Sequence, residues 1–392
     1  MFAPGIVIYL HDVTLFVLVI AGLLRKGSVN FLETRLAKYI FAFLFIAGLS
    51  LLLNSFSYKP LEILFSSMYL IRWMLYGLLY FIVAKGVLDT RTWLRGLLFS
   101  GFAVAVLGLI QYVLYPTLRN LYYLGWDEHY YRLFSTFLDP NFVGLYISFA
   151  IFLCLYGLVR HKGKMLWVLV LSILSGALLL TYSRSSFVSF LAGSSTLIVL
   201  LKKFKQGFAV LTIFILIIFI LPNRGRDILR LTRSESALAR IGNWKVSFDL
   251  FLEKPMFGHG FNTIRFLQMQ RGWMSDTPFV SRSAGGLDNS FLFIAVTTGI
   301  MGLASYLMIL GAMMRMGIEL QRVKGGSHLG ALYLSTLVAM SIHSLFVNSL
   351  FYPWILLWVW VFTGVVENKI ISDRQPGAVA KSYFQPGQLL LR

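Results

Sequence analysis

The chain has 392 residues, of which 58% are hydrophobic and 13% charged, and it carries a formal net charge of +19 at pH 7. Soluble domains contain about 45–50% apolar and about 25% charged residues, so this composition excludes an ordinary soluble protein and indicates an integral membrane protein. Most of the basic residues lie in short segments beside apolar runs, and membrane topology explains that excess better than nucleic-acid binding does.

Apolar runs of about 17–22 residues recur along the chain, which is the length that crosses the hydrocarbon layer as an α-helix. They lack the alternation typical of outer-membrane β-strands. The predicted fold class is therefore all-α, a polytopic transmembrane helical bundle of about 11–12 spans. The first run has no basic residue before it and no small-residue cleavage site after it, so it is predicted to be a retained span. In chain order the predicted spans are 5–24, 38–54, 64–84, 96–115, 141–159, 165–182, 185–201, 208–222, 290–312, 331–349 and 352–367.

Basic residues follow the odd-numbered spans. Those connections and the C-terminal tail hold 20 of the 35 lysines and arginines, whereas the short connections after even-numbered spans hold only Lys59, Arg119, Arg132 and Arg184. The positive-inside rule then predicts an extracytoplasmic N-terminus and a cytoplasmic C-terminus in a multi-pass protein of the cytoplasmic (inner) membrane.

One long segment interrupts this pattern of basic connections. The sequence therefore predicts N-terminal transmembrane helices (1–221), an extracytoplasmic loop (222–289), C-terminal transmembrane helices (290–367) and a cytoplasmic tail (368–392). Long translocated segments are exempt from the positive-inside rule. Within the loop an amphipathic helix is predicted on or near the outer membrane surface, because apolar residues recur there at helical spacing. These residues are Ala237, Ile241, Trp244, Phe248 and Phe251. A tight turn, Gly258 to Asn262, is predicted to follow.

Arg184 lies between two apolar spans that have almost no loop between them. An arginine so close to hydrocarbon is costly unless it pairs with an anion or with backbone carbonyls, so a functional site is one interpretation and snorkelling to the interface is the other. Arg72 lies within the third span, where it predicts either an anion contact or a buried ion pair.

His343 is predicted about two-thirds of the way along its span, in the outer half of the bilayer. A neutral imidazole there could act as a general base, and the alternative is a histidine that packs between helices. Arg240 precedes Trp244 by one helical turn and could stack on the same face, or it could contact lipid headgroups. Asp139, Pro140 and Asn141 fit a turn or helix cap. His11 and Asp12 are adjacent in the first span and are predicted not to face each other.

No carboxylate cluster suited to Mg²⁺ or Mn²⁺, no Walker loop and no zinc-protease motif is present, so no metal or cofactor is predicted. The one cysteine, Cys154, lies in an apolar run and excludes both a disulfide framework and a cysteine metal site. Electrophilic assistance to any transfer reaction would have to come from arginines.

Several short motifs together resemble the O-antigen ligase and polymerase superfamily of bacterial envelope enzymes. Each is weak alone, but their order and topological placement over roughly 130–350 are specific. In order they are RLFSTFLDPN (132–141), YSRSS (182–186), Arg240 with Trp244, GHGFN (258–262), DNSFL (288–292), GIMG (299–302) and HSLF (343–346). Two positions depart from the family pattern, since Asp288 stands where a histidine is frequent and Thr298 where an acid is frequent. Members commonly have about twelve spans, in a fold resembling membrane glycosyltransferases of the GT-C type.

The resemblance implies metal-independent, inverting glycosyl transfer from an undecaprenyl diphosphate-linked glycan at the outer face of the cytoplasmic membrane. The implied acceptor is lipid A-core for a ligase or a second lipid-linked glycan for a polymerase, with membrane lipids around the site and no nucleic acid. Arg184 and Arg240 are expected to stabilise the donor diphosphate, and His343 to orient or deprotonate the acceptor hydroxyl. The further residues expected to bind donor or glycan are Arg72, Trp244, His259, Asn262 and Asn289.

A transporter or flippase of lipid-linked sugars would also need arginines near the membrane. Such proteins usually have internal repeats and discontinuous spans around a midplane site, and neither is visible in the sequence. Ligase and polymerase activity stay open at this point, as does the role of Asp288.

Overall fold

The computed structural model describes residues 9–25, 33–86, 88–124, 126–160, 163–220, 234–273, 286–323 and 325–374. Within those ranges the chain is helical, with no β-strand, which confirms the predicted fold class. The described α-helices are α1 (Leu10–Arg25), α2 (Ala37–Leu53), α3 (Pro60–Ala84), α4 (Thr90–Leu114), α5 (Pro140–Arg160), α6 (Lys164–Leu180), α7 (Arg184–Leu201), α8 (Phe204–Ile220), α9 (Ser234–Glu253), α10 (Ile264–Gln270), α11 (Ser290–Arg322), α12 (Ser327–His343) and α13 (Pro353–Arg374).

Each predicted span corresponds to one helix, and α9 and α10 occupy the long loop. Six helices of the described residues, α3, α4, α5, α7, α11 and α13, are long and apolar enough to cross a membrane. Shorter apolar helices accompany them at α1, α2, α6 and α8. The chain is thus a multi-pass membrane protein.

Local sequence explains where several helices begin. Proline is the first residue of α3, α5 and α13, a position that needs no backbone N–H and favours the fixed proline φ. Asp89 caps α4, because its carboxylate accepts hydrogen bonds from the backbone amides of Arg91 (3.1 Å) and Thr92 (3.2 Å).

The C-terminal helices differ from the predicted spans. α11 continues to Arg322 rather than ending near 312, and α13 continues to Arg374 rather than ending near 367. α12 ends at His343, so this histidine is the last helical residue and not two-thirds of the way along its span. Hydropathy misses polar helical turns, because the helix needs only its backbone hydrogen bonds there. The chain leaves α12 early because Ser290 pairs with the peptide groups that follow it, as described below.

An aromatic cluster joins α2, α3, α11 and the long loop. Phe43 has ring centroids 4.9 Å from Trp73 and 5.0 Å from Tyr306, and Phe261 lies 5.8 Å from Phe351. All but Phe351 are at most 4% exposed. Aromatic pairs of this kind add about 0.5–1.5 kcal/mol beyond burial of their area. Phe261 therefore anchors the loop into the core of the bundle.

α11 is broken at Gly299, whose φ of 68° and ψ of −170° are not helical. The backbone groups freed by this kink pair with the loop after α9. Ile300 N donates to Pro255 O (2.8 Å), and His259 N donates to Val296 O (2.9 Å). Gly260 N donates to Thr297 O (3.0 Å). Since unpaired peptide groups are costly in hydrocarbon, the loop and the kink stabilise each other.

Two glycines permit this close approach. A Cβ atom at Gly299 would lie 2.1 Å from Met256 O, and a Cβ atom at Gly258 would lie 2.4 Å from the carbonyl carbon of Thr297. Both glycines have positive φ. The hydroxyl of Ser50 on α2 lies 2.5 Å from Phe257 O and 2.7 Å from Thr297 O, so α2 holds the same junction.

We expect Gly299→Ala to destabilise the protein strongly, by about 2 kcal/mol or more, because it combines a backbone conformation reserved for glycine with a clash against Met256. Gly311→Ala is the matched control, since Gly311 lies in the same helix and a Cβ atom there would have no neighbour within 4 Å. Thermal unfolding of both variants in detergent measures the difference. Equal midpoints would contradict this account of the kink.

Candidate functional site

The turn between α6 and α7 positions Arg184. Tyr182 has a left-handed φ of 48°, a conformation that costs about 1–3 kcal/mol for a residue with a side chain. Arg132 holds this turn, because its Nε donates to Thr181 O (2.9 Å) and its Nη2 to Tyr182 O (3.4 Å). Ser183 caps α7 by accepting a bond from Ser186 N (3.3 Å). Arg184 is thus the half-buried first residue of α7.

His343 ends α12 and lies against the start of α7. Its ring is fully buried. Nε2 lies 3.3 Å from Ser185 Oγ and 3.4 Å from Ser186 Oγ, and Nδ1 lies 2.6 Å from Ser349 Oγ. Both ring nitrogens therefore have hydroxyl partners, which satisfies a buried neutral imidazole with one donor and one acceptor.

Asn141 connects α5 to the same cluster. Its side-chain oxygen accepts a bond from Ser183 Oγ (2.7 Å), and its backbone oxygen accepts one from Ser186 Oγ (2.8 Å). Asp139 accepts a bond from Asn141 N (2.7 Å) and so begins α5, as predicted for this turn. Removal of Asp139 from solvent raises the pKa of its carboxyl group.

The start of α11 completes the cluster. Asn289 caps this helix by accepting bonds from Phe291 N (2.9 Å) and Leu292 N (3.2 Å). Ser290 N donates to Ser344 O (2.9 Å), and Ser290 Oγ donates to Val347 O (3.2 Å). These bonds pair the backbone that leaves α12 and keep the His343 turn against α11. The predicted motifs at 139–141, 182–186, 288–290 and 343–346 thus meet at one end of the bundle.

His259 and Asn262 have intramolecular partners in the loop. His259 is buried, with Nε2 2.8 Å from Leu250 O and 3.7 Å from a Glu253 oxygen. Desolvation lowers the pKa of His259 below its usual 6.5. Asn262 has a left-handed φ of 58°, and its backbone oxygen accepts a bond from Ser66 Oγ (3.3 Å). Both residues hold the loop that packs on the Gly299 kink.

α9 confirms the predicted helix in the loop, and it packs against α11. Ser247 and Leu250 are buried within the protein, whereas Phe248 of the predicted apolar face is 53% exposed. The placement of that face on or near the outer membrane surface stays a prediction. Trp244 is half-buried, and its indole N–H is buried without a partner among the described residues. Arg240 belongs to α9, but its side chain lies outside the described residues.

Arg72 has a carboxylate partner, which is the second of its predicted alternatives. Its Nη2 lies 2.8 Å from an Asp12 oxygen, and its guanidinium lies 5.2 Å from the centroid of the Tyr69 ring. His11 and Asp12 do approach each other, with 3.6 Å between Nε2 and Oδ1. The prediction that they would not was wrong because Tyr76 of α3 contacts both side chains, at 3.0 Å and 2.7 Å.

The sequence assigned no catalytic or binding role to Asn141, Ser185, Ser186 or Ser349, although these residues surround His343. Serines on helices are common and carry no spacing signal of their own. Only the packing of α7 against α12 shows that two of them contact an imidazole.

Stability should depend on pH through His259. Its pKa is lower in the folded protein than in the unfolded chain, so its full contribution is present above about pH 6.5 and is lost as the pH falls below that value. The loss is at most about 1.4 kcal/mol per pH unit for one proton. Thermal unfolding between pH 8 and pH 5 measures it, and His259→Gln should show a smaller fall while still donating to Leu250 O. Parallel profiles for the two proteins would refute the assignment.

Comparison with known families identifies a region of the chain that contains part of this site. Residues 167–307 match the family described as O-antigen ligase. No curated protein matches the chain significantly. The matched region begins in α6 and ends in α11, so it includes Arg184, α9, the loop after it and the Gly299 kink, whereas His343 lies beyond it. Residues 167–307 of this membrane protein thus match an O-antigen ligase domain, which supports the resemblance to the O-antigen ligase and polymerase superfamily.

Proposed function

We propose that the protein transfers a glycan from an undecaprenyl diphosphate-linked donor to a lipid or glycan acceptor, with inversion and without a metal, at the extracytoplasmic face of the membrane. The O-antigen ligase match supports glycan transfer in general. The observation that carries the proposal is the contact of His343 Nε2 with Ser185 and Ser186, the two residues that follow Arg184. A base and a cation thereby share one end of the bundle.

Arg184 would bind the donor diphosphate. As the first residue of α7 it adds a positive charge to the positive end of the helix dipole, an unfavourable placement that a bound anion offsets. The planar guanidinium suits two phosphate oxygens and stabilises the charge that develops as the diphosphate leaves. Arg240 is assigned the same task from α9, on the basis of the family resemblance. The indole N–H of Trp244, one turn along that helix, has no partner among the described residues and would donate to the glycan or the diphosphate.

His343 would act as a base through Ser185. Ser349 Oγ lies 3.3 Å from Val347 O and can donate to it, which leaves the serine oxygen to accept Nδ1–H of His343. Nε2 is then the unprotonated nitrogen of the ring and accepts a hydrogen bond. Ser186 donates to Asn141 O, so Ser185 is the hydroxyl that donates to Nε2. As the acceptor oxygen attacks the anomeric carbon, its proton passes to Ser185 Oγ and the serine proton passes to Nε2. The bond from the anomeric carbon to the diphosphate breaks, and the diphosphate keeps the electron pair.

The remaining predicted site residues would contribute by holding neighbouring segments in place. His259 and Asn262 hold the loop on the α11 kink, and Asn289 begins α11 beside the His343 turn. Arg72 contacts a carboxylate of α1, so its part in donor binding would need exchange of that partner. The outward orientation of the site is supported by the basic residues at the opposite ends of these helices.

Replacement of Arg184 by Ala should lower kcat/KM about 10²–10³-fold, and His343→Gln should lower kcat about 10²–10⁴-fold. Arg184→Lys should recover only part of the activity, because an ammonium ion lacks the planar fork. Arg265→Ala is the matched control, since Arg265 is exposed on α10 of the same loop. The measurement is glycan transfer by purified, monodisperse protein. Full activity of both Arg184→Ala and His343→Gln would refute the mechanism.

The same assay identifies the acceptor. Purified protein is incubated with lipid-linked glycan, with and without lipid A-core. A ladder of longer lipid-linked chains indicates a polymerase, and product on lipid A-core indicates a ligase. Donor binding without turnover, together with its movement across vesicles, would favour the flippase and contradict the proposal.

The proton relay makes a separate prediction. Ser185→Ala should lower kcat about 10-fold or more with little change in the donor KM, because it removes the hydroxyl between acceptor and His343. Ser189→Ala is the control, since Ser189 is buried one turn further along α7 and its hydroxyl donates to Ser185 O, its own helix backbone. Equal kcat values for the two variants would exclude Ser185 as the relay.

A further inference from the structure

A basic cleft lies between the start of α2 and the last turns of α11, away from the candidate functional site. It has a volume of about 430 Å³, within the range of ligand pockets. Its charged lining residues are Arg35, Lys38, Arg315 and Glu319. α2 and α11 also meet at Ser50 and Thr297, beside the kink. Arg315 follows Thr297 by 18 positions, which corresponds to a helical rise of about 27 Å, close to the thickness of the hydrocarbon layer. The cleft and the candidate site are thus at opposite membrane surfaces.

The cleft has an excess of positive charge. Glu319 pairs with two arginines, at 3.1 Å from Arg35 Nη2 and 2.6 Å from Arg374 Nη2. Lys38 and Arg315 are exposed and have no carboxylate within ion-pair distance among the described residues. Lys38 and Arg315 therefore line the cleft without a carboxylate partner from the described part of the protein, since Glu319 pairs with Arg35 and Arg374.

Exposed apolar stripes lead from this cleft along both helices. On α2, Lys38 is followed at helical spacing by Phe41 and Phe45, which are 44% and 70% exposed. On α11, Arg315 is preceded at the same spacing by Gly311 and by Met308, which is 48% exposed. Residues three and four apart share one face. Each stripe is thus apolar along the membrane and basic at its end.

We propose that this cleft binds an anionic glycerophospholipid of the leaflet opposite the transfer site. Lys38 and Arg315 contact the phosphate, and the acyl chains lie along the exposed faces of α2 and α11. Basic pockets between helices at the cytoplasmic surface suit such headgroups. The site is independent of the transfer chemistry, since no residue is shared with it. Bound lipid would stabilise the contact between α2 and α11, the two helices that also meet beside the Gly299 kink.

The test is lipid retention by the full-length protein. Purified protein is titrated with phosphatidylglycerol or with phosphatidylcholine of the same acyl chains, and bound lipid is counted by native mass spectrometry. We expect preferential retention of phosphatidylglycerol. Lys38→Gln with Arg315→Gln should weaken it about 30-fold, as two surface charges imply. The single change Arg315→Lys should keep most of the binding.

The control variant carries Arg91→Gln and Arg95→Gln, which remove two exposed charges from α4 without touching the cleft. It should bind phosphatidylglycerol like the parent. Equal retention of the two lipids, or an equal loss in the control variant, would overturn the proposal. Inorganic phosphate is the third probe, and its displacement of the lipid at millimolar concentration would assign the cleft to a soluble phosphate instead.

Discussion

Peptide groups in hydrocarbon must be paired within the protein, and the two interruptions in this bundle show how that constraint shapes the site. At Gly299 the broken turns of α11 pair with the loop that contains Gly258, His259 and Gly260. After His343 the peptide groups that leave α12 pair with Ser290. Both interruptions join α11 to a segment important for the proposed chemistry. α11 therefore positions both the loop after α9 and the turn that contains His343.

This arrangement explains why short motifs far apart in the chain act together. Gly258 and Gly299 allow the backbone of the loop to contact the backbone of α11. Phe261 of the same loop packs beside Phe351, which follows Ser349, the hydroxyl partner of His343, by two residues. The serines around His343 leave its ring buried and paired, and for that reason the proposed mechanism uses Ser185 as the hydroxyl between His343 and the substrate. Strain at Tyr182 is retained at the same place, held by Arg132.

The two ends of the bundle differ in their charged side chains. Arg184 lies at the end where α7 begins and α12 finishes, next in sequence to the serines that contact His343. The other end has several basic residues, two of which line a cleft without a carboxylate partner among the described residues. The basic side chains at this end of the bundle thus serve two predictions. They predict the orientation of the chain by the positive-inside rule, and two of them form the proposed lipid contact.

The sequence by itself determined the fold class, nearly every span, the helix in the long loop and the resemblance to O-antigen ligases, since these depend on hydropathy, local capping and ordered motifs. It failed at the end of α12 and at the His11–Asp12 pair. It also assigned no catalytic or binding role to the serines and the asparagine around His343. Only the tertiary structure decided those features, because each depends on which helix lies opposite: α7 and α11 beside α12, and α3 beside α1. Contacts between residues far apart in the chain leave no periodic signal in a single sequence, whereas the length of an apolar run does.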